Sequence, residues 1–496
     1  MDIRLLPTGV PGLDEIFGGG VPEFSFNLIA GLPGCGKTIL SHQMMFAMAS
    51  DARPALYLTV LGELPLKMLR YQQRFEFFEP GRIGHDIHFV NLSDESAGGD
   101  LDRVLDVVAA QMQAHNPALV FLDSIRAALL PALMPRTDSG QRFMQRLSML
   151  MVSCQATTFL LGEYAEGETN PASAIADGMI WLRQTVQRNS MVRKIEVMKM
   201  RGQAILPGLH TFRISSSGIK IFSPAPISGG AGTLTPIAPD RSRLLMGVPR
   251  LDAMMGGGLP HGYSLLVAGP SGAGKTILGR SFLVEGARRG ETGVIAVFEQ
   301  NPFGSRNRVV ADLVDSGRIG LIDSRSPDLS IDEIVMQILD EVARLGATRV
   351  VIDSLSAFEL TIAPTFRPDF RESLARMVSA LARTGVTVLM TTELEDRYTD
   401  LRFSPYGTAF LTDAIIVMRY IELDSRLQRL IAVVKVRASA HSDEFRLYTI
   451  GPDGIEIGEM LPNQVGLLGG RPTTRLRSLK LAPLRRLPSA NWISRK

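Results

Sequence analysis

Apolar residues along this chain fall into two alternating kinds of run. Short, nearly uninterrupted runs, such as Phe26 to Ala30 and Leu265 to Ala268, read as strands. Longer runs that mix apolar and polar positions, such as Ile39 to Ala49 and Ile277 to Ala287, read as helices. The alternation runs through both halves and predicts βαβ units. The fold class is therefore α/β: a mostly parallel sheet in each half, covered by helices. Ligands in such sheets sit at the carboxyl ends of the strands.

Each of those strand–helix pairs encloses the same loop. The first reads Gly31-Leu32-Pro33-Gly34-Cys35-Gly36-Lys37-Thr38 and the second Gly269-Pro270-Ser271-Gly272-Ala273-Gly274-Lys275-Thr276. Both fit G-x-x-x-x-G-K-[ST]. The glycines let successive backbone N–H groups turn inward on phosphate oxygens, and the helix that follows adds its positive end. Lys37 and Lys275 reach the β- and γ-phosphates in this arrangement, and the Thr38 and Thr276 hydroxyls ligate Mg2+. Asp123 and Asp353 each end an apolar run, the place of a carboxylate that holds the Mg2+ shell.

The duplication extends well beyond the loops. Thr8-Gly9-Val10-Pro11-Gly12-Leu13-Asp14 and Gly18-Gly19-Gly20-Val21-Pro22 return as Met246-Gly247-Val248-Pro249-Arg250-Leu251-Asp252 and Gly256-Gly257-Gly258-Leu259-Pro260. Lys199-Met200-Arg201 returns as Lys435-Val436-Arg437. The separation between copies stays nearly constant, so each half is one complete domain. The reading places domains at residues 1–225 and 243–460, with a Pro-, Gly-, Ser- and Thr-rich linker at 226–242. The tail, 461–496, is basic and broken by prolines. It reads either as a disordered end or as a contact arm for an acidic partner.

Composition narrows the class. With 496 residues, 45% apolar and 21% charged, the chain is an ordinary globular protein of two or more domains. A formal net charge of +3 gives no global field for nucleic acid. Cys35 and Cys154 offer no disulfide framework, and no run reaches membrane-spanning length, so a reducing cytoplasm is expected. The seven histidines lack metal-ligand spacing, which leaves Mg2+ as the expected metal. Cys35, inside a P-loop, is either a small residue that fits or a redox-sensitive thiol of lowered pKa.

The doubled G-V-P-x-L-D and G-G-G-[VL]-P prelude, the two P-loops and the two K-x-R motifs resemble the KaiC-like family of tandem RecA-type ATPase domains. The resemblance covers roughly residues 1–225 and 243–460. It implies ATP bound with Mg2+ at the subunit interfaces of a homo-hexameric ring, a signalling or timing role, and protein partners. The family carries two adjacent glutamates after the strand that follows the P-loop helix. Here Glu299 matches the first and Gln300 replaces the second; in the other half Gly62 replaces the first and Glu63 matches the second. By that resemblance Glu299 and Glu63 are the water-activating bases. Lys199, Arg201, Lys435 and Arg437 match the motif that reaches the neighbouring subunit's nucleotide, where a cation stabilises transition-state charge. Strand alternation puts each Lys and Arg pair on one face.

The phospho-acceptor pair of the family falls on Ala409 and Phe410, neither of which has a hydroxyl; Thr408 and Thr412 flank them. Three functions remain open at this level: a KaiC-like ATPase, a Ser/Thr kinase that phosphorylates itself, and a RecA-type recombination or helicase ATPase. Outside the tail no basic stripe interleaves with aromatics, which argues against nucleic acid.

Overall fold

The computed structural model describes residues 3–60, 65–92, 100–124, 139–165, 172–187, 190–223, 242–298, 308–323, 329–362, 366–394, 411–423, 425–461, 464–465 and 473–474. The linker at 226–242 lies outside them except for Ser242, and the tail except for Leu461 and two short strands. Among the described residues the chain forms two units, each containing a nine-stranded sheet.

The first sheet is built from β1 (Phe26–Gly31), β2 (Ala55–Thr59), β3 (Ile87–Asn91), β4 (Leu119–Asp123), β5 (Thr157–Glu163), β6 (Gly178–Gln187), β7 (Ser190–Met200), β8 (His210–Ser215) and β9 (Gly218–Phe222). Its order is β9-β8-β7-β6-β1-β5-β4-β2-β3. The strands from β6 to β3 run parallel, whereas β7, β8 and β9 join antiparallel. The second sheet takes β10 (Ser264–Gly269), β11 (Gly293–Val297), β12 (Ile319–Asp323), β13 (Arg349–Asp353), β14 (Thr387–Glu393), β15 (Ala414–Leu423), β16 (Arg426–Val436), β17 (Arg446–Gly451) and β18 (Gly454–Met460). Its order, β18-β17-β16-β15-β10-β14-β13-β11-β12, repeats the first strand for strand.

The sequence pattern explains the layering. Every residue of β1 and β10 is buried, as parallel strands covered on both faces require. Period-two alternation then divides the first sheet's side chains between two cores. Ile29, Phe121 and Phe159 share one with Leu40, Met44 and Met48 of α1 (Lys37–Met48). Leu28, Ala30 and Val120 share the other with Val104 and Val108 of α2 (Leu101–His115) and with Met144 and Leu147 of α3 (Ser139–Ser153). Burying each of the larger side chains contributes roughly 1.5–3 kcal/mol. In the second unit α4 (Lys275–Arg288) places Leu278 and Phe282 in the core with Val267 and Val351.

Both P-loop helices begin at the lysine, two residues before the apolar periodicity becomes readable. Gly36 and Gly274 are the residues just ahead of them, at φ 108 and 97. A Cβ at Gly36 would stand 3.0 Å from Ile214 Cδ1, and one at Gly274 would stand 2.8 Å from Ile450 Cδ1. Left-handed backbone and close packing together demand glycine there.

The preludes diverge in one buried detail. Asp14 Oδ1 accepts both the Thr8 N–H, at 2.9 Å, and the Thr8 hydroxyl, at 2.7 Å. Asp252 Oδ1 accepts the Met246 N–H at 2.7 Å, and Met246 brings no hydroxyl. Burial pushes Asp252 up from 3.8 to about 6, the Met246 bond opposing it. The folded pKa is raised, so this group's stabilising share is complete below its unfolded value and is lost as pH rises through about 6. That loss is on the order of 3 kcal/mol. Asp252→Asn is therefore expected to raise the thermal midpoint of the second unit at pH 8 and to leave it unchanged at pH 3. Thermal denaturation followed across that range checks the sign; a midpoint shift that does not depend on pH would refute it.

Candidate nucleotide sites

At the first site the chain turns from β1 through the glycine-rich loop straight into α1. The helix has no side-chain N-cap, so its leading N–H groups face the loop's concavity. Lys37 is buried and its Nζ donates to the carbonyls of Gly31 and Leu32, each at 3.0 Å. The loop is thus drawn around its own ammonium. Thr38 Oγ1 donates to Asp123 Oδ2 at 3.0 Å, joining the start of α1 to the end of β4. Tyr57, from β2, donates its hydroxyl to the same oxygen at 2.8 Å. His42 packs edge-on against the Tyr57 ring, with centroids 4.6 Å apart, and fixes its direction.

The electrostatics follow from this crowding. Withdrawal from water raises the Asp123 pKa, while the Tyr57 and Thr38 hydroxyls pull it back. Tyr57 is pushed well above the usual phenol range, first by burial and then by the Asp123 charge, so it stays a donor. Cys35 is also raised, by burial, against the opposing pull of Lys37. Full burial and a raised pKa fit the first of the two readings, a small residue filling the loop, and not a redox-sensitive thiol of lowered pKa. Beside it Arg193, Phe212 and Ile214 line a small cavity that adjoins Gly36.

The second site repeats the lysine geometry and changes the carboxylate's support. Lys275 Nζ donates to the carbonyls of Gly269 and Pro270, each at 2.8 Å. Thr276 is the second residue of α4. Asp353, buried at the end of β13, accepts the Thr391 hydroxyl of β14 at 2.5 Å. Pairing registers show that Ile295 stands where Tyr57 does, and Leu161 where Thr391 does. One site thus props its aspartate from the strand on one side, the other from the strand on the opposite side. Tyr448, buried in the second unit's core, donates its hydroxyl to the Ala273 carbonyl at 2.5 Å. Gly272 lies under Tyr420: a Cβ there would come within 2.9 Å of the Tyr420 hydroxyl oxygen.

The K-x-R motifs behave identically in both halves. Lys199 Nζ donates to the Ala176 carbonyl and Lys435 Nζ to the Thr412 carbonyl. Arg201 pairs with Asp177 at 3.1 Å and Arg437 with Asp413 at 3.2 Å. The alternation expected of a strand stops short: β7 ends at Met200 and β16 at Val436, so each arginine opens the turn beyond. Both arginines remain more than half exposed.

A family model for the KaiC ATPase matches residues 6–225 and again 244–461. The chain belongs to the KaiC ATPase family. It is 27% identical over 489 residues to the circadian clock oscillator protein KaiC of Picosynechococcus sp. (strain ATCC 27264 / PCC 7002 / PR-6), covering 95% of this chain and 93% of that protein. It is 26% identical over 493 residues to the protein of the same name from Rippkaea orientalis (strain PCC 8801 / RF-1), at 95% and 92% coverage. To circadian clock oscillator protein KaiC 1 of Synechocystis sp. (strain ATCC 27184 / PCC 6803 / Kazusa) it is 25% identical over 493 residues, again at 95% and 92%.

As a tandem P-loop ATPase of the KaiC family, the chain binds nucleotide. Glu63, Glu299, Ala409 and Phe410 lie outside the described residues, so the carboxylate and acceptor readings rest on the sequence. The sequence alone assigns no site role to Tyr57, Thr391, Asp177 or Asp413. A lone tyrosine in the apolar run Ala55–Thr59 was the one available signal. Among the described residues no helix is long and apolar enough to cross a membrane.

Proposed function

We propose that each half binds one ATP with Mg2+ and hydrolyses it, within a homo-hexameric ring whose nucleotide state serves timing or signalling in the cytoplasm. The observation that carries this is the meeting of Lys37, Thr38 and Asp123 at the carboxyl ends of β1 and β4. A hydroxyl and a carboxylate 3.0 Å apart form a hard oxygen donor set of the kind Mg2+ takes through one or two protein ligands. Thr38 and Asp123 would hold the ion in the first half, and Thr276 and Asp353 in the second. When bound, the ion neutralises charge that develops on the phosphates.

The chain's own groups do the rest. Loop N–H groups of Gly34, Cys35 and Gly36, and of Gly272, Ala273 and Gly274, cradle the phosphates. Lys37 and Lys275 exchange loop carbonyls for phosphate oxygens. Glu299 and Glu63 orient the attacking water and accept its proton. Lys199 with Arg201, and Lys435 with Arg437, meet the γ-phosphate held by the neighbouring subunit. The names of the relatives support the timing role, and the exposed arginines support the contact in trans.

Light scattering with and without ATP, together with γ-labelled ATP, tests this reading. ATP is expected to assemble a ring and release labelled phosphate. The protein itself is expected to stay unlabelled, because Ala409 and Phe410 offer no hydroxyl. A monomer under all nucleotide conditions would overturn the ring. Label on the chain would instead make it a self-phosphorylating kinase.

A further inference from the structure

The two halves diverge at several supports: Tyr57 becomes Ile295, Leu161 becomes Thr391 and Thr8 becomes Met246. A polar cluster around Asp177 and Asp413 is kept in both halves. Asp177 Oδ1 accepts Arg201 Nη1 at 3.1 Å, while its Oδ2 accepts the N–H of Phe26, the first residue of β1, at 3.0 Å. Asp413 Oδ1 accepts Arg437 Nη1 at 3.2 Å, while its Oδ2 accepts the N–H of Ser264, the first residue of β10, at 3.0 Å. The Ser264 hydroxyl adds a bond at 2.8 Å. Backbone bonds repeat the pattern: Asp177 N–H donates to Phe26 O at 2.7 Å and Arg201 N–H to Asp177 O at 2.9 Å, and both Asp413 N–H to Ser264 O and Arg437 N–H to Asp413 O are 2.9 Å.

The ion pairs by themselves add little stability, since the arginine side chains are 62% and 52% exposed, although the same carboxylates also hold the first N–H of each P-loop strand. What the geometry does provide is direction. Each guanidinium sits just past a strand end, more than half exposed, with Nη1 donating to one carboxylate oxygen. A cation that must meet a phosphate on another subunit gains most from being aimed beforehand, since a misplacement of 1 Å can cost on the order of 100-fold in rate.

We infer that Asp177 and Asp413 are positioning residues: each aims the arginine that its chain lends to the neighbouring site and ties that arginine to the first residue of its own P-loop strand. The inference rests on the reading that Arg201 and Arg437 act in trans, and the test separates the two claims.

Subunit mixing is the test, with full-length chains that all carry Arg201→Ala so that the second site dominates turnover. Asp413→Asn alone is expected to lower kcat by on the order of 10- to 100-fold while KM and the binding of a fluorescent ATP analogue stay unchanged. Asp413→Glu should recover part of the loss. Mixed one-to-one with Lys275→Ala chains, Asp413→Asn chains should regain turnover at roughly a quarter of the sites. An intact P-loop then faces an intact, correctly aimed arginine at random frequency. Mixed with Arg437→Ala chains they should regain nothing. If Arg437→Ala recovers with Lys275→Ala but Asp413→Asn does not, Asp413 acts inside its own chain and the inference is wrong. If Arg437→Ala also fails to recover, the reading in trans falls, and the positioning role with it.

Discussion

ATP turnover is expected to fall to background in the Lys37→Ala/Lys275→Ala double variant, while each single variant keeps the turnover of its intact site. The expectation follows from where the two ammonium groups stand. Each is inside its loop, 2.8–3.0 Å from carbonyls that close the phosphate cradle. On the proposed reading, removing one deletes the charge that meets the phosphates, and with it the group that holds the loop carbonyls together. A loss of several kcal/mol in transition-state stabilisation corresponds to at least about 100-fold per site. Phosphate release measured on the four proteins checks it. A double variant retaining half the wild-type rate would sink the two-site account.

The second large effect is at Asp123, and it separates activity from stability. Asp123→Asn, in a chain silenced at the second site by Lys275→Ala, should lose at least about 100-fold in turnover, because the amide cannot hold the ion's charge. The same variant should be more stable at neutral pH in the absence of nucleotide. Asp123's folded pKa is raised by withdrawal from water, so its ionised form disfavours the fold. Its stabilising share is present at acid pH and fades as pH rises through the folded value, so the gain from asparagine should vanish at acid pH. With ATP and Mg2+ present the order should reverse, since only the carboxylate gains a partner. Thermal denaturation in both conditions reads this out. A variant less stable than wild type at pH 7 without ligand would contradict the electrostatics.

The pattern of residues carries the fold and the local part of each candidate site. Parallel strands buried on both faces leave uninterrupted apolar runs, so β1, β4, β10 and β13 could be located, with Asp123 and Asp353 at their ends. P-loop chemistry is local in sequence, which is why Lys37, Thr38, Lys275 and Thr276 were legible. Tyr57 and Thr391 were not, because they reach their aspartates from neighbouring strands in register that only the folded sheet fixes. Asp177 and Asp413 were hidden for the same reason: the first residue of a P-loop strand lies far along the chain from the arginine it shares a carboxylate with. Apolar periodicity marks each helix two residues late because Lys37, Thr38, Lys275 and Thr276 interrupt it. Alternation alone does not show that strand pairing stops before Arg201.

The central claim is that one chain carries two working nucleotide sites. Counting adenine nucleotide retained per chain after isolation in ATP and Mg2+ tests it most directly. The account predicts two in the wild type, one in Lys37→Ala, one in Lys275→Ala and none in the double variant. One nucleotide per wild-type chain, or two retained by either single variant, would contradict it.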